Sequence, residues 1–416
     1  MTTSSFRSGN ASDDYQEESG ILDSQTAEDQ LLDAFDNMLS KSAKTRLMAF
    51  EVIRKILSER YMLDFIYGRR ITIFDSISRC MKKSKGQDLG HVASLIPIIC
   101  TTLGSEPETD SLISELVSQL LILLADQTLL PEVRIKFAKA IAICAFIIGI
   151  DGYLEEIMGR FYAIFSASFA KGDGIMPNPS KQLAALHAAS LQGWTLLLTA
   201  VNNSSNDVAV EIVEENIDKI KELLDSPHLD VKTSAGESLA VMHEVIKVHN
   251  DEVTADDFDD LCDKLREIMS DTQKSKGKKD LRQQRSNFRD ILALFEEGEA
   301  PCQTIKFGRE RLVLKSWSRF RQYDAFCDIL CTGLNHHLAE NEVLRDVFGL
   351  GEVTIHMDFP RPKRSENVSQ CQNALSLANQ MISNVYIHPL YSNLLHTTTN
   401  FSYMNCRWPT KFERKT

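Results

Sequence analysis

Apolar positions recur through most of this chain at the spacing of one buried helix face. Leu31, Leu32, Phe35, Met38 and Leu39 share such a face, and Met48, Val52, Ile53, Ile56 and Leu57 continue it in a second helix. The stretch from Tyr61 to Met81 predicts one or two more helices, broken at Gly68. Further helices are predicted over residues 88–103, 110–126, 132–149, 151–170, 181–201, 207–224, 229–248 and 255–270. Breakers fall between them at Gly104 and Pro107, Pro131, Gly172 and Gly174, Pro177 and Pro179, and Pro227. Asp110 and Asp207 are expected N-caps, since a short carboxylate can accept the free N–H groups of a first turn.

A helix-start phrase repeats at wide spacing. Lys44-Thr45-Arg46, Glu132-Val133-Arg134 and Asp230-Val231-Lys232 each open an apolar helix, and Lys181 opens a similar one. Arg46 and Arg134 are 88 residues apart, and Arg134 and Lys232 are 98 apart. A unit of roughly 40–47 residues, each a pair of helices, is the signature of armadillo and HEAT arrays. The expected fold is therefore all-α: an armadillo/HEAT-like solenoid over residues 27–270, with a smaller helical region over residues 281–351. In that second region, Leu281–Glu297 reads as a helix and Pro301–Gly308 as a short, extended piece. Arg309–Ala339 reads as one long helical stretch, and Glu342–Phe348 as a short helix. Residues 1–26 and 352–416 are expected to be disordered, because they offer little apolar surface to offset chain entropy. Residues 271–280 read as a basic linker.

Composition narrows the function. The chain has 416 residues, is 43% hydrophobic, and carries only 19 Gly and 11 Pro, which suits long helices rather than a turn-rich sheet protein. The polar, acidic start is expected to contain no secretory signal. The longest apolar run, Ala140–Ile150, is shorter than the ~20 residues a membrane span needs. Nine scattered Cys without a CxxC pair are expected to be reduced core thiols in a cytoplasmic protein with possible nuclear residence. No GxSxG, HExxH, phosphate-loop or kinase phrase occurs, so the chain is expected to be no enzyme and to need no cofactor. Cys327, Cys331, His336 and His337 do not have zinc-ligand spacing, and read as packing thiols beside surface histidines.

Charge is segregated. Nine acids stand against Arg7 in residues 1–40, and six acids without a base in residues 251–260. Residues 274–323 hold thirteen bases and six acids. The bases are Lys274, Lys276, Lys278, Lys279, Arg282, Arg285, Arg289, Lys306, Arg309, Arg311, Lys315, Arg319 and Arg321, with Trp317, Phe320 and Tyr323 interleaved. Lys and Arg neutralise phosphates, and an exposed aromatic ring can stack on an unpaired base. The same bases can equally form a solvated helix face, with the aromatics anchoring that helix to the repeats.

Several phrases resemble the interferon-related developmental regulator family. They are the acidic start, Glu51-Val-Ile-Arg54, Asp64-Phe-Ile66 and Arg285-Ser-Asn-Phe-Arg-Asp290. With them go Trp317-Ser-Arg-Phe-Arg-Gln-Tyr-Asp-Ala-Phe-Cys327, Gly333-Leu-Asn-His-His-Leu338 and Val347-Phe-Gly-Leu350. The resemblance covers about residues 27–350. It implies an armadillo-like protein without catalysis, associated with ribosome binding, translational silencing and transcriptional co-regulation in differentiating or stressed cells. It gives the basic block a concrete partner, ribosomal RNA. The other reading it leaves open is a protein–protein adaptor that works through the solenoid groove. Family members usually continue into an Arg/Lys- and Ala-rich helix, which residues 354–416 lack.

Overall fold

The computed structural model describes residues 17–149, 153–250, 258–270 and 278–353, with side chains described from Thr26 and, in the last stretch, from Ser286. These residues all fall within one compact unit that ends at Val353. The expectations for residues 1–16, 271–277 and 354–416 therefore lie outside the described residues.

The repeats form two rows of helices. One row is α2 (Ala43–Glu59), α5 (Gln87–Leu103), α7 (Pro131–Ile148), α9 (Lys181–Ser204), α11 (Leu229–His249) and α13 (Lys278–Glu297), each packed on the next. The other row backs it: α1 (Glu17–Asn37), α3 (Leu63–Gly68) with α4 (Arg70–Lys83), α6 (Pro107–Ala125), α8 (Tyr153–Phe165), α10 (Asn206–Glu222) and α12 (Asp259–Ser270). Helices α2, α5 and α7 begin at residues 43, 87 and 131, a spacing of 44. The repeated basic position is the fourth residue of its helix. Arg46 contacts Asp88 of α5 at 2.5 Å and donates to Ser40 O and Lys41 O, and Arg134 Nε donates to Leu124 O at 2.8 Å. In α2 and α7, members of this first, inner row, the phrase thus ties the helix to the neighbouring turn, satisfying carbonyls left open there.

Local chemistry sets the ends. Pro107 and Pro131 stand at the starts of α6 and α7, where a missing N–H costs nothing. Ser42 and Ser180 cap α2 and α9. Neither expected aspartate is an N-cap. The caps of α6 and α10 are Glu106 and Ser205. Asp110 instead reaches back from inside α6 to accept from Glu106 N at 3.2 Å. Helix α1 starts at Glu17, not near residue 27. Ala27, Leu31, Ala34 and Met38 are its buried residues, one helical face that anchors it to α2. Residues 278–280, expected in the linker, already belong to α13. Helix α9 is long and apolar enough to cross a membrane, but 78% of its apolar window is buried among its neighbours, as in a core helix.

The region after α13 departs most from expectation. Arg309–Ala339 is not one helix. A hairpin of β1 (Gln303–Phe307) and β2 (Glu310–Leu314) comes first, then α14 (Trp317–Leu330), α15 (Leu334–Glu340) and α16 (Glu342–Phe348). The strands pair antiparallel, with Ile305 opposite Leu312 and Lys306 opposite Arg311, around a turn where Gly308 takes φ 52°. Period-two burial of Leu312 and Leu314 wins over helix propensity here. A chain reversal at Cys331, with φ 51°, separates α14 from α15.

Helices α14 to α16 run back across the inner row. α14 touches α11, α9, α7, α5 and α2, α15 touches α2, and α16 touches α5. The seam is polar as well as apolar. Both Glu244 oxygens accept from the start of α14, at 2.5 Å from Trp317 N and 2.9 Å from Ser318 N. Gln322 donates to Thr199 Oγ1 at 3.0 Å, and Asn341 donates to Thr101 O at 3.0 Å. Lys139 pairs with Asp328 at 2.7 Å, and Phe146 meets Phe326 edge to face.

Arg345 locks the far end. It is 2% exposed, grips both Glu310 oxygens at 3.0 and 2.9 Å, and donates to the carbonyls of Leu338, Ala339, Leu350, Gly351 and Glu352. Arg345→Ala strands those acceptors. Glu310 is partly exposed and can rehydrate, so the expected loss is near the low end for a broken buried pair, about 3 kcal/mol. A urea midpoint shift corresponding to less than about 1 kcal/mol would show the network to be dispensable.

Candidate nucleic-acid interface

The hairpin presents a charged outer face on a fixed base. Phe307, Leu312 and Leu314 point into the core, and Glu310 is held by Arg345. Thr304, Lys306, Arg311 and Val313 are exposed, and the register sets Thr304 opposite Val313 and Lys306 opposite Arg311. Like charges directly across two strands repel. Glu310, the hairpin's single acid, is turned away to Arg345, and neither Lys306 nor Arg311 makes an ion pair among the described residues. Arg309 at the turn and Lys315 just beyond β2 are exposed as well. This is a concentrated cationic surface on a platform that cannot easily rearrange.

The thirteen expected bases divide sharply. Lys306, Arg309, Arg311 and Lys315 are gathered on or beside the hairpin. Arg289 is exposed on α13, a different element. Lys278, Lys279, Arg282 and Arg285 lie on the first turns of α13, their side chains outside the described residues, as are Lys274 and Lys276 altogether. Arg319 and Arg321 do not belong to the surface. Arg319 is half-buried and donates to Val347 O and to Gln322 Oε1, the latter at 3.1 Å; burial lowers its pKa. Arg321 is 9% exposed and faces Glu237, whose carboxyl is pushed up by burial and drawn back by that guanidinium. Arg321 shares a helical face with Trp317 and Ala325, four residues to either side, which is the signal that would have placed it inside.

The interleaved aromatics are structural. Trp317 is 6% exposed, Phe320 packs against Trp317, and Tyr323 packs edge-on to Phe348. The histidine pair divides too. His336 is exposed, but His337 is fully buried rather than superficial: its Nε2 lies 3.0 Å from Leu57 O and its Nδ1 3.2 Å from Asn341 Nδ2. Only the tautomer with Nε2 donating and Nδ1 accepting satisfies both. Cys302 and Cys331 are exposed, so not all the thiols are core. Among the described residues, no three His, Cys, Asp or Glu side chains converge as a metal set.

Known proteins resemble this chain over most of its length. A family model described as Interferon-related developmental regulator matches residues 1–296. Interferon-related developmental regulator 2 of Mus musculus is 32% identical over 355 residues, covering 85% of this chain and 78% of that protein. Interferon-related developmental regulator 1 of Sus scrofa is 36% identical over 338 residues, covering 80% and 74%. The Homo sapiens regulator 1 is 35% identical over 336 residues, again covering 80% and 74%. These shares reach beyond the family model into the hairpin and the helices that follow it. The chain belongs to the interferon-related developmental regulator family.

Proposed function

We propose that this protein is a non-catalytic regulator that binds ribosomes in the cytoplasm through their RNA and lowers translation. The observation that carries the reading is the opposed Lys306–Arg311 pair, held outward on a rigid hairpin with its one acid sequestered. Such an arrangement costs stability in the free protein and is relieved by a polyanion. An adaptor working through the solenoid groove finds less support, because α14 to α16 already lie across the inner row.

The test is co-sedimentation with purified ribosomes through a sucrose gradient. Lys306→Glu, Arg311→Glu and Lys315→Glu together are expected to weaken association at least about tenfold, and added salt to weaken the parent protein steeply. Exposed charges add little to folding, so the melting temperature stays nearly unchanged. In a cell-free translation reaction the parent protein lowers output and the triple variant does not. Association indifferent to both salt and substitution would overturn the reading.

A further inference from the structure

We infer that the hairpin's outer face takes double-helical RNA and not single-stranded RNA; this rests on the ribosome reading above and specifies which RNA form the site recognises. Proteins that hold unpaired strands supply aromatic platforms on which successive bases stack. The hairpin surface has none. Its exposed positions are Thr304, Lys306, Arg311 and Val313, and its one aromatic, Phe307, is 2% exposed. The rings that follow, Trp317, Phe320 and Tyr323, are committed to packing. Among the described residues, Tyr67 is the single aromatic in the exposed class, and the Arg70 guanidinium covers its ring at 4.3 Å from the centroid. A base leaving its helix would find no ring among the hairpin's own outward positions.

A double helix asks for what the hairpin offers. The minor groove of A-form RNA is wide and shallow, and displays 2′-hydroxyls between two lines of phosphate. A two-stranded ribbon is flat enough to lie on it. Lys306 and Arg311 sit side by side across the strands and can reach phosphates as donors. Thr304, one register step along the same face, brings a hydroxyl that both donates and accepts, matching a 2′-hydroxyl. Contacts of this kind read shape and sugar and ignore base identity.

The experiment measures fluorescence anisotropy of the full chain with three labelled probes of equal phosphate number. They are an RNA stem-loop of about 16 base pairs, the size a double-strand reader spans, its DNA counterpart, and oligo(U). The stem-loop is expected to bind at least about fivefold tighter than oligo(U) at the same salt, and tighter than the DNA duplex. Lys306→Thr with Arg311→Thr, which removes the repulsion and keeps strand-forming residues, is expected to abolish the stem-loop preference with an unchanged helical spectrum. Thr304→Val is expected to narrow the gap between RNA and DNA duplexes. Oligo(U) binding as tightly as the stem-loop would overturn the duplex assignment and leave ribosome binding intact. If no probe binds while ribosomes still co-sediment, both the duplex assignment and the RNA route to the ribosome fall.

Discussion

Gly333→Ala is expected to unseat the C-terminal helices from the repeats. A Cβ at Gly333 would stand 1.7 Å from Ser58 O and 2.5 Å from Ser58 C, a collision with backbone that no rotamer relieves. The conformation itself is ordinary, φ −83° and ψ −6°, so alanine brings no torsional strain and the effect is purely one of distance. Relief requires α2 and the turn before α15 to move apart. That motion breaks the His337–Leu57 hydrogen bond and loosens Leu334 and Leu338, which are buried beside it. The expected cost is on the order of 4 kcal/mol, in the range reserved for such collisions. Thermal unfolding monitored by circular dichroism reads it directly, and limited proteolysis between α13 and α14 reports the undocking. A melting temperature within a degree or two of the parent would mean that the two backbones are not in contact.

Acid is expected to destabilise the protein well before its carboxylates are protonated. His187, His243 and His337 are buried, and burial is the chief reason their pKa values are pushed down to about 4. His187 shares a 2.6 Å hydrogen bond with Ser168, His243 is wedged between Phe258 and Phe295, and His337 has both nitrogens engaged. Burial opposes a second proton, and its charge, on each ring. Above pH 6.5 they are neutral whether folded or unfolded, and their contribution to stability is fully present. Below it the unfolded chain takes up protons that the folded chain refuses, so stability falls until about pH 4. Each histidine accounts for about 2 kcal/mol by pH 5. Glu237 and Glu244, whose carboxyls burial pushes up, act in the opposite sense. Their contribution is lost as pH rises through their folded values and recovers only as pH falls toward 4.5. The decline is therefore steepest between pH 6.5 and 5. Urea titrations across that range should show a falling midpoint; a flat or rising one would mean that the three histidines are solvated.

The repeats were legible because their signal is redundant. Each inner helix repeats an apolar face and three of the six, α2, α7 and α11, repeat a basic fourth residue; Arg46 and Arg134 use it for the same task of tying off neighbouring carbonyls. The hairpin was hidden because Arg309 to Ala339 contains enough helix formers to mask the five-residue alternation of β2. The cationic surface was only half legible. Counting bases found Lys306, Arg309, Arg311 and Lys315, but swept in Arg319 and Arg321, which composition cannot tell from surface residues. Which side of α14 faces inward depends on the inner row it crosses, and that row lies far back in the sequence.

That return path changes how the protein should fold. A stack whose members touch only their neighbours can form and lose its ends piecemeal. Here hydrogen bonds and an ion pair join residues 280, 240 and 189 positions apart: His337 to Leu57, Asn341 to Thr101 and Lys139 to Asp328. Loop closure on that scale is slow and comes late. During synthesis the ladder assembles first with its inner face bare, and the clasp closes only after residue 350 has left the ribosome's exit tunnel. Once closed, it makes five repeats open together or not at all, so that an array built for gradual fraying unfolds as a single cooperative body.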